Sequence, residues 1–142
     1  MLTMTHVAEV LGLPKKLAPD SPIALVARIE DGLPISALER LAGMVAPGDA
    51  QFKYRLVPRA TYERRKSKKV LSADEGTRLT RLARIWSLAL DVWKAPAEAR
   101  DFLFRPHAML ENQAPMTVAI NSELGAELVC DILGRLRYGS AA

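Results

Sequence analysis

Cysteine is almost missing from this chain, since Cys130 stands alone. An intramolecular disulfide is therefore excluded, and with it a cysteine-rich zinc site. A single thiol fits a reducing compartment. Histidine is nearly as scarce: His6 and His107 are far apart and neither has a ligand-spaced partner, so no metal is expected. There is no glycine-rich phosphate loop, no catalytic triad and no paired-carboxylate motif. The expectation is a protein with no catalytic residues, no cofactor and no enzymatic activity. Long apolar runs are also absent. The longest, around Ile85 to Trp93, falls well short of the roughly 20 residues that span a bilayer and follows Arg81 and Arg84. The opening MLTMTHVAEVLGL has no basic n-region and carries Glu9 inside its apolar run, which does not read as a secretion signal. No membrane association is expected, and a cytoplasmic location is.

What the chain does have is enough apolar material to fold unaided. Hydrophobic residues make up 49% and charged residues 25% of its 142 positions, which suits one compact domain or two small ones sharing a core. No stretch alternates cleanly enough to be a strand, while proline and glycine fall between helix-periodic runs. The predicted fold class is all-α. A short first helix is expected from Thr5 to Leu11, stopped by Gly12, and KKLAPD reads as an arm. Ser21-Pro22 caps a helix ending at Asp31-Gly32. A second starts at Pro34 and carries Leu38, Leu41 and Val45 on one face. Asp49 caps a short helix through Leu56, and Pro58 opens the next. Ser72-Ala73-Asp74-Glu75 is a capping box announcing the longest helix, to about Lys94. Trp86 and Trp93 share a face of it, as core packing or a homodimer seam. Ala95-Pro96 starts a helix through Phe104, residues 106–114 read as an irregular loop, and Pro115 opens a turn or two. Ser122 caps the last helix. Leu124, Leu128, Val129, Ile132, Leu133 and Leu136 are expected as its buried face, and Gly139 as its end.

Charge is unevenly spread. Residues 53–69 hold eight cations against the single acid Glu63, a net +7 in seventeen residues, which leaves −3 for the other 125. Two short helices around a tight turn, Asp49–Leu56 and Pro58–Lys66, make a helix-turn-helix candidate whose second helix fits a DNA major groove. Arg59, Thr61 and Tyr62 stand on its first turn and a half, where base edges are reached. Arg55, Arg64, Arg65, Lys66 and Lys68 are placed to meet phosphates, where counterion release drives binding. A merely solvated charge run and an RNA-binding patch are the alternatives. No aromatic-rich strand supports the second.

The run LSADEGTRLTRLARIWSLALDVW, then PAEARDFLF, then ALENQAPMTVAINSELGAELVCDILGRLRYG, resembles the toxin-binding domain of the Xre/MbcA/ParS-type antitoxins. Arg78, Leu79, Arg81, Leu82, Ala83 and Arg84 carry the likeness at its start, followed by Ala99, Leu103, Pro106, Ala108 and Leu110. Pro115, Glu123, Gly125, Val129, Leu133, Arg135 and Gly139 complete it. GLPISALERLAG and VPRATYERRK look like the family's Xre-like helix-turn-helix region. The likeness spans about Gly32 to Gly139. Two departures stand out: Glu111-Asn112 occupy positions where the family often has glycines, and Gly76 stands where a larger polar residue is common, at a helix cost of about 1 kcal/mol.

The resemblance implies a type II antitoxin that binds a RES-domain toxin, an enzyme that consumes NAD or transfers ADP-ribose from it, and represses their shared operon. It implies a homodimer within a larger toxin–antitoxin complex. The organisation it suggests is an N-terminal arm over 1–20, a helix-turn-helix region over 21–71 and a toxin-binding domain over 72–142. The toxin's NAD pocket would be obstructed by the last helix and tail: Arg135, Arg137, Tyr138, Gly139, Ser140, Ala141 and Ala142. The competing reading is a free-standing helix-turn-helix transcriptional regulator whose C-terminal half is a helical dimerisation domain.

Overall fold

A computed structural model describes residues 4–13 and 21–139. The arm KKLAPD and the tail Ser140, Ala141 and Ala142 lie outside the described residues. The described chain holds nine α-helices and no named strand: α1 (Met4–Val10), α2 (Pro22–Asp31), α3 (Ile35–Val45), α4 (Lys53–Leu56), α5 (Arg59–Lys68), α6 (Ala73–Trp93), α7 (Pro96–Phe104), α8 (Pro115–Asn121) and α9 (Glu123–Tyr138). It forms two compact units, residues 1–83 and 84–142, and the division falls inside α6.

Helix starts follow local chemistry. The Ser21 hydroxyl accepts from the Ala24 amide at 3.2 Å, and Pro22 takes the first turn. Ser122 does the same for Gly125 at 2.9 Å. The capping box at α6 closes in both directions: Glu75 N donates to Ser72 Oγ (3.2 Å), and Ser72 N to Glu75 Oε1 (2.7 Å). Pro34 and Pro58 sit one position earlier than expected, as extended N-cap residues rather than first helical ones. Asp49 caps a turn ahead of α4 rather than the helix itself, accepting from the Gln51 amide at 2.9 Å.

In the first unit α3 is the best-buried helix, with Ala37, Leu38, Leu41, Ala42 and Val45 inward. Phe52, Leu56 and Val57 bury the turn that joins α4 to α5. Gly76 is buried in the first turns of α6, and its missing side chain has a packing reason. A Cβ there would stand 3.2 Å from Ile29 Cγ2 and 3.4 Å from Leu33 Cδ1, so glycine lets α2 and its end lie close.

In the second unit α8 and α9 cross so tightly that a Cβ on Gly125 would run into the Val118 carbonyl. Met116, Ala119, Ala126, Val129 and Leu133 fill the core around that crossing. Trp86 is buried under Arg100, and Trp93 packs on Phe102 with ring centres 5.8 Å apart. Burial pushes the half-buried Cys130 thiol up from its ordinary pKa, with Arg84 opposing the shift.

Two sequence expectations fail here. Leu124, Leu128 and Leu136 do not join the buried face of α9; they are 66%, 46% and 37% exposed. The inward stripe is Gly125, Ala126, Val129, Ile132 and Leu133 instead. The 106–114 segment is not irregular either. A 3-10 turn, Ala108–Leu110, is capped by His107 Nδ1, which accepts from the Met109 amide at 3.1 Å. His107 and Gln113 form an antiparallel bridge. Glu111 (φ 53°) and Asn112 (φ 66°) turn the chain in left-handed conformation, so these non-glycine residues adopt the geometry that glycine favours.

Candidate functional surfaces

The basic segment is sorted by its neighbours into residues that hold the first unit together and residues that face outward. Tyr62 points inward from α5 and is 4% exposed, so it is not the base-contacting side chain the sequence suggested. Its ring meets that of Tyr54 edge-on at 5.6 Å. Lys53 lies over the Tyr62 ring at 4.5 Å and donates to the Tyr62 hydroxyl at 3.3 Å. That hydrogen bond, opposed by desolvation, raises the lysine pKa. Arg65 is committed as well. Its Nε and Nη2 donate to the two Glu75 oxygens at 3.0 and 3.4 Å, pinning the last turn of α5 to the first turn of α6. Desolvation works to raise the Glu75 pKa, but the Ser72 amide and the Arg65 guanidinium outweigh it and the net shift is downward. Arg78, on α6, ties down the end of α4 by donating to the Leu56 carbonyl at 2.6 Å.

The outward set is Arg55, Arg59, Arg64, Lys66, Lys68 and Lys69, all exposed, with Thr61 half-buried beside them. Lys66 reaches Glu63 at 3.7 Å, so the lone acid offsets one cation locally. Arg64 rests on Thr61 Oγ1 at 3.3 Å. Arg59 Nη2 donates to Gln51 Oε1 at 2.7 Å, and its guanidinium stacks 4.1 Å above the Tyr54 ring. Gln51 and Tyr54 carry no charge, so counting charge could not find them. The signal that was available is their place, just before a basic helix.

On the second unit the exposed side of α9 carries a stripe spaced 4-3-4-3: Leu124, Leu128, Asp131, Arg135 and Tyr138. Those spacings keep one helical face together. Tyr138 is 71% exposed. Arg137 lies off that stripe, donating to Asp91 Oδ2 on α6 at 2.9 Å, and so anchors the end of α9. Gly139 ends the helix at φ 69° and donates to the Arg135 carbonyl. Of the seven residues expected against the toxin, then, Arg135 and Tyr138 stand exposed, Arg137 is engaged within the unit, Gly139 ends the helix, and Ser140, Ala141 and Ala142 lie outside the described residues. Among the described residues no cluster of histidine, cysteine and carboxylates has the makings of a metal site, and no helix is long and apolar enough to cross a membrane.

Two family models match the chain. Residues 24–84 match the antitoxin Xre-like helix-turn-helix domain, and residues 88–139 match the antitoxin Xre/MbcA/ParS C-terminal toxin-binding domain. A search of curated proteins found no match. A basic helix following a short turn-helix, and a helical C-terminal unit that leaves leucines in solvent, therefore stand within two adjoining family domains that leave out only 85–87 of residues 24–139, and the chain belongs to the Xre/MbcA/ParS-type antitoxins.

Proposed function

We propose that this antitoxin neutralises a RES-domain toxin by seating the exposed stripe of α9 on it and feeding the tail into its NAD pocket. The observation that carries the reading is the row Leu124, Leu128 and Tyr138, large apolar side chains left in solvent on the toxin-binding domain. Scattered surface leucines need no explanation, but large apolar side chains repeated along one helical face are the layout of a helix-in-groove contact. The RES identity of the toxin follows from the resemblance of the sequence to antitoxins of that class. An NAD pocket must offer cationic or hydrogen-bonding groups to a pyrophosphate, and the small residues Ser140, Ala141 and Ala142 are slim enough to enter it. Arg135, Arg137, Tyr138, Gly139, Ser140 and Ala141 form the approach to it. The working organisation is an arm over 1–20, a helix-turn-helix region over 21–71 and a toxin-binding region over 72–142. The protein acts in the cytoplasm as a homodimer within the toxin complex, without an enzymatic activity of its own.

In the same reading Arg55, Arg59, Thr61, Arg64, Lys66 and Lys68 meet operator DNA, while Tyr62 and Arg65 shape the helix that presents them. This is the autoregulatory half of the function.

Co-expression decides the toxin reading. The adjacent gene product alone should arrest growth and deplete NAD, and the intact antitoxin should reverse both. Deleting residues 138–142 should restore NAD consumption while the two proteins still co-purify. Full neutralisation by the truncated chain would exclude the tail as the blocking element. Gel-shift affinity for the promoter unchanged by Arg59→Ala with Arg64→Ala would exclude the DNA surface.

A further inference from the structure

The first residue of α5 is held in an unusual way for an exposed arginine. An arginine at a helix start has many rotamers, and holding it still costs side-chain entropy. Arg59 is nonetheless fixed on two sides. Its Nη2 donates to Gln51 Oε1 at 2.7 Å, and its Nη1 reaches the Tyr54 hydroxyl at 3.5 Å. The guanidinium lies 4.1 Å over the Tyr54 ring centre. That ring is itself fixed edge-on against the buried Tyr62. The support is thus rooted in the core of the first unit.

A guanidinium has five N–H donors in a rigid planar fork. Two are directed at Gln51 and Tyr54, which leaves three for a ligand. A phosphate accepts such a fork too, but it is met equally by a lysine point charge that needs no cradle. A planar fork held at a fixed angle suits a planar two-acceptor target. In the major groove that target is guanine, whose O6 and N7 lie side by side. Lys68 and Lys69 at the far end of α5 are exposed without such a cradle, as befits groups that meet phosphates.

We propose that Arg59 reads a guanine in the major groove and that Gln51 and Tyr54 are positioning residues that present its guanidinium. This rests on the reading of α5 as a DNA-binding helix. Arg59 supplies discrimination at one base pair. Gln51 and Tyr54 set how sharp that discrimination is.

The test is selection from a pool of randomised duplexes by the full chain, followed by competition between the selected duplex and the same duplex with one G·C pair changed to A·T. The wild-type protein should select a motif with an invariant guanine and prefer it about 5- to 150-fold. Arg59→Lys keeps the charge and should bind random duplex as before with a weakened preference, since lysine lacks the planar fork, and Arg59→Ala should lose the preference. Tyr54→Leu and Gln51→Ala should weaken the preference without changing the salt dependence on random duplex. Circular dichroism confirms that each variant is folded, and Tyr54→Phe, which keeps the stack, should retain most of the preference. If wild-type protein binds duplex but selects no guanine, or if Arg59→Ala keeps the motif, the inference is overturned and DNA binding stands. If wild-type protein retains no duplex even at low salt, the DNA-binding reading fails and the inference fails with it.

Discussion

Glu75 closes two structures at once, and removing it should cost more than a surface carboxylate normally does. Its Oε1 accepts from the Ser72 amide at 2.7 Å and from Arg65 Nε at 3.0 Å, while Oε2 accepts from Arg65 Nη2 at 3.4 Å. Glu75→Ala loses the capping bond, worth about 1 kcal/mol. It also loses the charge-assisted bonds from Arg65. Such bonds are worth about 1.5–3 kcal/mol when buried, but the Arg65 side chain is 28% exposed. Water can replace part of the contact, which leaves about 1–1.5 kcal/mol. The expected total is about 2–2.5 kcal/mol in urea unfolding near neutral pH. Glu75→Gln keeps an acceptor for Ser72 and should lose only the ionic part, about 1–1.5 kcal/mol. The pH dependence follows from the downward pKa shift. A carboxylate whose folded pKa lies below its ordinary 4.5 stabilises the fold fully above that value and stops doing so as pH falls through the folded pKa. The gap between wild type and Glu75→Gln should therefore be full at pH 7 and close in acid. Loss of under about 0.5 kcal/mol in Glu75→Ala, or a gap that persists unchanged in acid, would refute this account.

Gly125→Ala should destabilise the second unit by about 2–3 kcal/mol, because its Cβ meets the Val118 carbonyl and backbone cannot step aside cheaply; urea unfolding followed by tryptophan fluorescence reports it. Glu111→Gly should raise stability by about 0.5–1 kcal/mol, since relief of the left-handed strain exceeds the added chain entropy. Asn112→Gly should gain less, as asparagine tolerates that conformation better. Leu128→Lys lies on the exposed stripe of α9 and should leave the unfolding curve unchanged while weakening co-purification of the toxin at least tenfold.

What was legible in the sequence was mostly chemistry acting over three or four residues. Ser21, Ser72 with Glu75, Ser122 and Gly139 stand at helix ends as their side chains or backbone preferences require, and each needs no knowledge of the rest of the fold. Where a second element decides, the pattern misleads. Leu124 and Leu128 have helical spacing to the core leucines, but α8 packs against Gly125 and so turns a neighbouring stripe inward. Glu111 and Asn112 adopt a glycine conformation because the His107–Gln113 bridge and the 3-10 turn fix the path around them. The charge run 53–69 shows the same division at the functional surface. Its eight cations read in sequence as one patch, but Lys53 is drawn onto Tyr62 and Arg65 onto Glu75. Eight less those two leaves at most six for phosphates. At about −0.9 per neutralised phosphate, the slope of log affinity against log salt on random duplex should be no steeper than about −5.4 per bound chain, not the roughly −7 that all eight would give. Lys53→Met should leave that slope where it is, because the lysine is already committed to a tyrosine; a fall of nearly one unit would mean that Lys53 leaves Tyr62 for the DNA and that the folded protein does not sort its charges in advance.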